Sequence, residues 1–317
     1  MEFPIQTLLH RAAFAVSHES AWIRVTGEDR ARWLNGMTTN SIAALQPGEG
    51  CYTFFLNAQG KIQGDATAFL LPESILLRTA ASQVHKLIET LDRFIIMDDV
   101  ELFALPARPS LLLAGPDAPK LLSELGVTPP SPLHLVRTEE NGVDAIAAFS
   151  PLVPRFELLG DERLPGRLAT VAAEVPIETF EQLRLLEGTP KFGVDIREKE
   201  LPQETAQTRA LHFAKGCYLG QEIVERIRSR GNLHRTFAGF VLEGELPLAG
   251  TAIAAEEAPE KPIGELTSSG RIELGESPIQ LGLGYIRREA LDRKATLVYP
   301  GGRAIPAELP YRKALSA

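Results

Sequence analysis

A strand, a glycine turn and a helix occur twice in this chain, 88 residues apart, and no other feature restricts the fold as strongly. In the first copy Trp22 to Thr26 reads as a short strand. Gly27-Glu28-Asp29 then opens a helix carrying Trp33 and Leu34, with acids in its first turn as the helix macrodipole favours. In the second copy Leu111 to Ala114 form the strand, Gly115-Pro116-Asp117 the turn and Lys120-Leu121-Leu122 the helix. Gly27 thus matches Gly115, Asp29 matches Asp117 and Leu34 matches Leu122, which points to a duplicated α/β unit. A chain of 317 residues exceeds what one core fills, so two or three domains are expected.

Between the copies the pattern is that of a meander: Cys51 to Leu56, a turn at Asn57-Ala58-Gln59-Gly60, Ile62 to Leu71, a turn at Pro72-Glu73-Ser74, then Ile75 to Thr79. Ser82 is expected to cap a helix reaching about Phe94, with Val84, Leu87, Ile88 and Leu91 along one face. Three prolines, Pro129, Pro130 and Pro132, make 126–132 a loop or boundary. A further helix is predicted from about Ile177 to Glu187, and another from Gln221 to about Arg230, with Gly231 at the left-handed C-terminal cap. Beyond about Thr236 short apolar runs broken by Gly and Pro read as a β-barrel or sandwich, with 264–270 as a turn.

Several classes of function are excluded or disfavoured. A net charge of −8 argues against general binding to nucleic acid or anionic membrane, so such a partner needs a local basic patch. Two cysteines far apart, Cys51 and Cys217, make neither a disulfide framework nor a zinc pairing, and a reducing cytoplasm fits best. The start of the chain lacks the basic region of a signal peptide, and no apolar run approaches the roughly 18 residues of a membrane span. Gly60-Lys61 lacks the P-loop spacing, Gly282-Leu283-Gly284 lacks the third glycine of a dinucleotide fingerprint, and six scattered histidines show no metal-ligand spacing.

The informative segment is Lys215-Gly216-Cys217-Tyr218-Leu219-Gly220-Gln221-Glu222, leading into the helix that carries Arg226. Its two glycines permit sharp turns and close approach of a ligand. Cys217 stands ahead of a helix N-terminus with Lys215 two residues away, and both the dipole and an ammonium favour thiolate over thiol. Two readings stand side by side: a reactive cysteine, or a small hydrophobe in a tight turn. From Arg209 to Arg235 there are six basic residues against two acidic ones. That island is either an anion site, for a polyglutamate tail, a phosphate or RNA, or a solvated helix face.

These residues resemble a known family. Lys215 to Glu222 fits the K-G-C-[FY]-x-G-Q-E signature of the YgfZ-type folate-binding proteins, in the superfamily of the glycine-cleavage T-protein (aminomethyltransferase). Similarity extends through Gly27 to Asn40, Gly60-Lys61, Pro190-Lys191-Phe192-Gly193, Pro202-Gln203-Glu204 and 263–270. The resemblance implies an α+β fold: a ring of three domains around a folate channel, with two ferredoxin-like α/β subdomains and a C-terminal β-barrel. The expected divisions are 1–130, interleaved with the next, then 131–235 carrying the motif, and 236–317. It also implies bound tetrahydrofolate and support of iron–sulfur client enzymes, including those that modify tRNA. Cys217 would be the essential thiol, with Lys215, Gly216, Tyr218, Gly220, Gln221, Glu222 and Arg226 around it. Phe180, Glu187 and Asn40 would be folate contacts, and Arg226, Arg228, Arg230 and Arg235 candidate tRNA contacts.

Two departures qualify this expectation. Where the family reads R-I-E-A-G-x-P, this chain has Arg184-Leu185-Leu186-Glu187-Gly188-Thr189-Pro190, so Leu186 takes the position of the pterin-binding glutamate. Either Glu187 substitutes through a rotated helix end, or folate binding is weak or absent. The second departure is that no aspartate occurs in 77–86, the segment corresponding to the T-protein's catalytic acid, which disfavours aminomethyl transfer. The alternative function is a tetrahydrofolate-dependent one-carbon transferase in which another acid serves.

Overall fold

The duplication is built around Gly27 and Gly115. In the computed structural model, which describes residues 3–138, 142–160, 162–231, 233–275 and 277–316, both glycines have positive φ (+99° and +131°). A Cβ on Gly27 would lie 1.9 Å from the Asp99 carbonyl oxygen, and one on Gly115 would lie 2.2 Å from that of Arg11. In each copy the residue two places on bonds to the same crossing backbone: the Asp29 N–H to Asp99 O (3.2 Å), the Asp117 N–H to Arg11 O (3.0 Å). Strands Ser20–Thr26 and Ser110–Ala114 lead into helices Arg30–Met37 and Ala118–Glu124. The acids expected in the first helical turn lie just ahead of it instead, with Asp29 and Asp117 as N-caps whose side chains make no capping bond. The Asp29 carboxylate accepts from the Asp99 N–H (3.0 Å), so it ties down the crossing segment.

Each copy belongs to its own sheet. The first is antiparallel, in the order Gly50–Leu56, Ile62–Leu70, Ile75–Ala80, Ser20–Thr26, Glu101–Ala104, and its first three strands are the expected meander. The second runs Ala173–Glu174, Ala13–Ser17, Ser110–Ala114, Arg155–Leu159, Val143–Ala147, Leu135–Thr138, gathering strands from either side of residue 130. Ser82 caps no helix: it is exposed in a 3-10 turn, Ala81–Gln83, ahead of helix Val84–Asp92. The following residue, Gln83, is buried and turns inward.

The C-terminal region closes into a six-stranded barrel: Arg235–Gly244, Ser277–Arg287, Ala258–Leu274, Thr251–Ala255, Leu297–Tyr299 and Gly302–Ala307. The turn expected at 264–270 lies inside the 17-residue strand Ala258–Leu274. Its glycines and serines serve a register shift between Leu266 and Ser268, not a chain reversal. The bulge directs the hydroxyls of Thr267 and Ser268 to one buried carboxylate, Asp195 (2.5 and 2.7 Å). Helix Glu178–Glu187 packs Phe180, Leu183 and Leu186 into a core shared with helix Pro4–His10 and the barrel wall, and Gly188 ends it in the left-handed conformation. Helix Gln221–Arg230 ends at left-handed Gly231, as its sequence predicts. No helix among the described residues is long and apolar enough to cross a membrane.

Candidate functional site

The motif is anchored by its lysine. The Lys215 Nζ donates to the carbonyl oxygens of Asn35 (2.5 Å), Thr38 (2.5 Å) and Asn40 (2.7 Å), at the end of helix Arg30–Met37. The last carbonyls of a helix lack partners within it, and an ammonium there satisfies both their hydrogen bonding and the dipole. Burial lowers the Lys215 pKa to about 8, and it pushes the Cys51 thiol nearby up to about 12. The ammonium expected beside Cys217 is therefore occupied by the helix end. Cys217 itself is exposed, whereas Cys51 is buried.

The motif loop is fixed on its other side as well. Gly220, the N-cap of helix Gln221–Arg230, has φ +81°, and a Cβ there would meet the Asn57 carbonyl at 2.5 Å. Gly60 answers it from the Asn57–Lys61 turn, with φ +71° and Ile223 Cβ 2.7 Å from where its own Cβ would stand. The Leu219 N–H donates to Gly36 O (3.0 Å), and the Tyr218 N–H to Gln221 Oε1 (3.1 Å). Cys217 thus rides on a loop held at three places. Glu222 and Arg226 are exposed on the helix behind it.

Two cavities open near this assembly. The first, about 400 Å³, is lined among others by Tyr52, Asp65, Arg78, Arg155, Phe180 and Arg209. Asp65 accepts from the Tyr52 hydroxyl (2.6 Å) and from Gln83 Nε2 (2.8 Å), and burial raises its pKa. Arg78 pairs with Glu157 and donates to Ser20 Oγ (2.7 Å). The Arg155 guanidinium lies over the Phe180 ring (5.7 Å to the centroid), and its Nε has no hydrogen-bond partner among the described residues. The second cavity, about 610 Å³, lies against the barrel and includes Glu187, Phe237 and Leu309. The Glu187 carboxylate accepts from Ser150 Oγ and is approached by the Leu152 backbone, and burial raises the pKa of the group. Phe149, Thr189 and Arg209 border both cavities.

Comparison with known proteins adds to this geometry. The GCVT N-terminal domain family matches residues 9–148. The chain is 28% identical over 217 residues to a protein of Yersinia enterocolitica named tRNA-modifying protein YgfZ, covering 67% of this chain and 65% of that one. It is also 28% identical over 295 residues to an iron-sulfur cluster assembly factor IBA57 homolog, mitochondrial, of Pyricularia oryzae, covering 82% and 67%. The chain thus resembles the YgfZ-type proteins of the T-protein superfamily.

It is further 27% identical over 305 residues to a putative chloroplastic transferase of Arabidopsis thaliana, covering 91% of this chain and 68% of the relative. Its fold is that of the glycine cleavage system aminomethyltransferase T from Bartonella henselae, with a TM-score of 0.84, 19% identity and coverage of 97% and 88%.

In this fold the expected site residues separate into groups. Lys215, Gly216, Tyr218, Gly220, Gln221 and Glu222 flank Cys217 along the chain, and Cys217 borders neither cavity. Phe180 lies on the first cavity and is only 3% exposed, while Glu187 lies on the second. Leu186 is fully buried in apolar packing. The Asn40 amide donates to Tyr52 O and Arg209 O, both at 2.9 Å, which makes it a brace between segments. Arg226, Arg228 and Arg230 are exposed, with Arg228 over the Phe213 ring at 4.3 Å. Arg235 departs from that patch, because it pairs with Glu204 (2.9 Å) and lies over Tyr285. Sequence reasoning misses Asp65 and Arg155, and places Arg209 only at the edge of the basic island. For Asp65 the signal is an acid in the middle of strand Ile62–Leu70, one strand before the segment 77–86.

Proposed function

We propose that this protein is a folate-binding accessory factor that supports assembly or repair of iron–sulfur clusters in client enzymes, including tRNA-modifying ones, with Cys217 as its working thiol. The observation that carries this reading is the contrast between its two cysteines. Cys51 is buried with its pKa pushed up to about 12, whereas Cys217 is exposed on a loop braced by Lys215, Gly220 and Gly60. A cluster generally takes four protein ligands, so a single thiol works with ligands from a client or a small thiol. Tetrahydrofolate would occupy the two adjoining cavities, where the Glu187 carboxylate suits the N–H donors of a pterin. Exposed Arg226, Arg228 and Arg230 form the face offered to tRNA. Complementation of a strain lacking its own factor is the test, and full rescue by Cys217→Ala sinks the role of the thiol. A tetrahydrofolate isotherm compared with Phe180→Ala and Glu187→Gln tests the cavities.

Asp65 favours a second reading, tetrahydrofolate-dependent one-carbon transfer. It supplies an acid on the first cavity whose pKa is raised by burial, a group able to exchange a proton with a bound substrate. Turnover of an aminomethyl or methyl donor that Asp65→Asn abolishes supports it. Absence of turnover across a donor panel rejects it.

A further inference from the structure

Arg209 stands where the two cavities meet, and its surroundings leave it incomplete. Its guanidinium lies between two aromatic rings, with centroids at 4.4 Å (Tyr52) and 4.1 Å (Phe149). Its Nε donates to Gln207 Oε1 (3.1 Å), and its terminal nitrogens have no hydrogen-bond partner among the described residues. Asp65 in the first cavity attracts it from a distance, but the two oxygens of that acid are taken by Tyr52 and Gln83, and Arg209 makes no ion pair among the described residues. Glu187 faces the second cavity and is likewise not in contact with it. A half-buried cation with no carboxylate in contact is under-satisfied, and a guanidinium flanked by two rings presents one free edge, a planar fork that matches a carboxylate. Arg155, also without an ion-pair partner among the described residues, adds a second positive charge to the first cavity.

We propose that Arg209 is a carboxylate-binding residue at the junction of the two cavities, held in its receiving orientation by Tyr52, Phe149 and Gln207. This deepens the folate reading, since the carboxylate belongs either to the glutamyl end of a folate or to a separate small carboxylic acid. Four probes distinguish these in titration calorimetry on the full chain: p-aminobenzoylglutamate, glutarate, tetrahydrofolate and tetrahydropteroate. The wild type binds a carboxylate probe saturably, and Arg209→Gln weakens that binding about 10- to 100-fold, the range for a charge-assisted hydrogen-bonded pair. Arg209→Lys, which keeps the charge but loses the fork, falls between them. Phe149→Leu, at a half-exposed ring, removes one face of the clamp and weakens the same probes severalfold, which keeps the test open should Arg209→Gln fail to fold.

A wild-type preference for tetrahydrofolate over tetrahydropteroate that Arg209→Gln erases identifies the folate's own tail. Equal affinity for the two pteridines, with glutarate bound alongside, identifies a separate acid. Binding of glutarate without any binding of tetrahydrofolate overturns the folate reading and leaves the carboxylate site standing. The proposal itself is overturned if no carboxylate probe binds, or if a folded Arg209→Gln or Phe149→Leu binds them as the wild type does.

Discussion

Gly216 and Gly220 look equivalent in the motif, and the structure makes them sharply unequal, so a pair of alanine substitutions tests its geometry. At Gly220 an alanine must adopt φ near +81°, which costs about 1–2 kcal/mol for an L-residue. Its Cβ would also stand 2.5 Å from the Asn57 carbonyl and 2.9 Å from Leu56 Cβ, so backbone must shift, at about 1–3 kcal/mol. Together Gly220→Ala loses about 2–5 kcal/mol, equivalent to a fall of roughly 5 °C or more in melting temperature. At Gly216 a Cβ meets nothing within 4 Å, and Gly216→Ala is expected to stay within about 0.5 kcal/mol of wild type. Thermal melts of the three proteins, followed by circular dichroism, provide the comparison. Alkylation adds an independent readout, because releasing the loop from the Asn57–Lys61 turn alters the rate at which Cys217 reacts. Equal melts for the two variants, or a larger loss at Gly216, refute the interlocked loop.

Cys217→Ala removes the fast phase of thiol alkylation and Cys51→Ala leaves it intact, since burial holds Cys51 protonated at ordinary pH. Glu187→Gln changes the pH dependence of stability. Burial raises the folded pKa of Glu187 above 4.5, so the native state binds the extra proton and stability falls as pH rises from 4.5 through the folded pKa. The glutamine variant lacks that slope and gains stability relative to wild type at pH 7, as paired melts at pH 4 and 7 would read; an unchanged slope rejects the assignment. Leu186→Glu, which restores the family's glutamate, destabilises the chain by about 3 kcal/mol or more, because it places a carboxylate in fully apolar packing. A melt within a degree of wild type would show that the helix end rotates after all.

Much of the fold was legible because it is written in local patterns. The meander and the two later helices follow from alternation, helical periodicity and glycine caps, each decided by neighbours in sequence. Local chemistry misled where distant partners decide: Ser82 had the composition of a cap, and 264–270 that of a turn. A 3-10 turn that delivers Gln83 to Asp65 and a barrel strand bulged toward Asp195 took precedence.

The same division runs through the site. The repeated strand–glycine–helix unit, the cysteine motif and its arginine-rich helix were determined by the sequence alone, because tight turns and helix ends depend on residues a few positions apart. Which groups share a cavity was decided by the tertiary structure. Lys215 meets carbonyls of Asn35, Thr38 and Asn40, and Arg209 meets Tyr52 and Phe149, across separations that no local pattern encodes. Folding also buried one of the two cysteines and left the other in solvent, which is the difference between an inert thiol and a usable one.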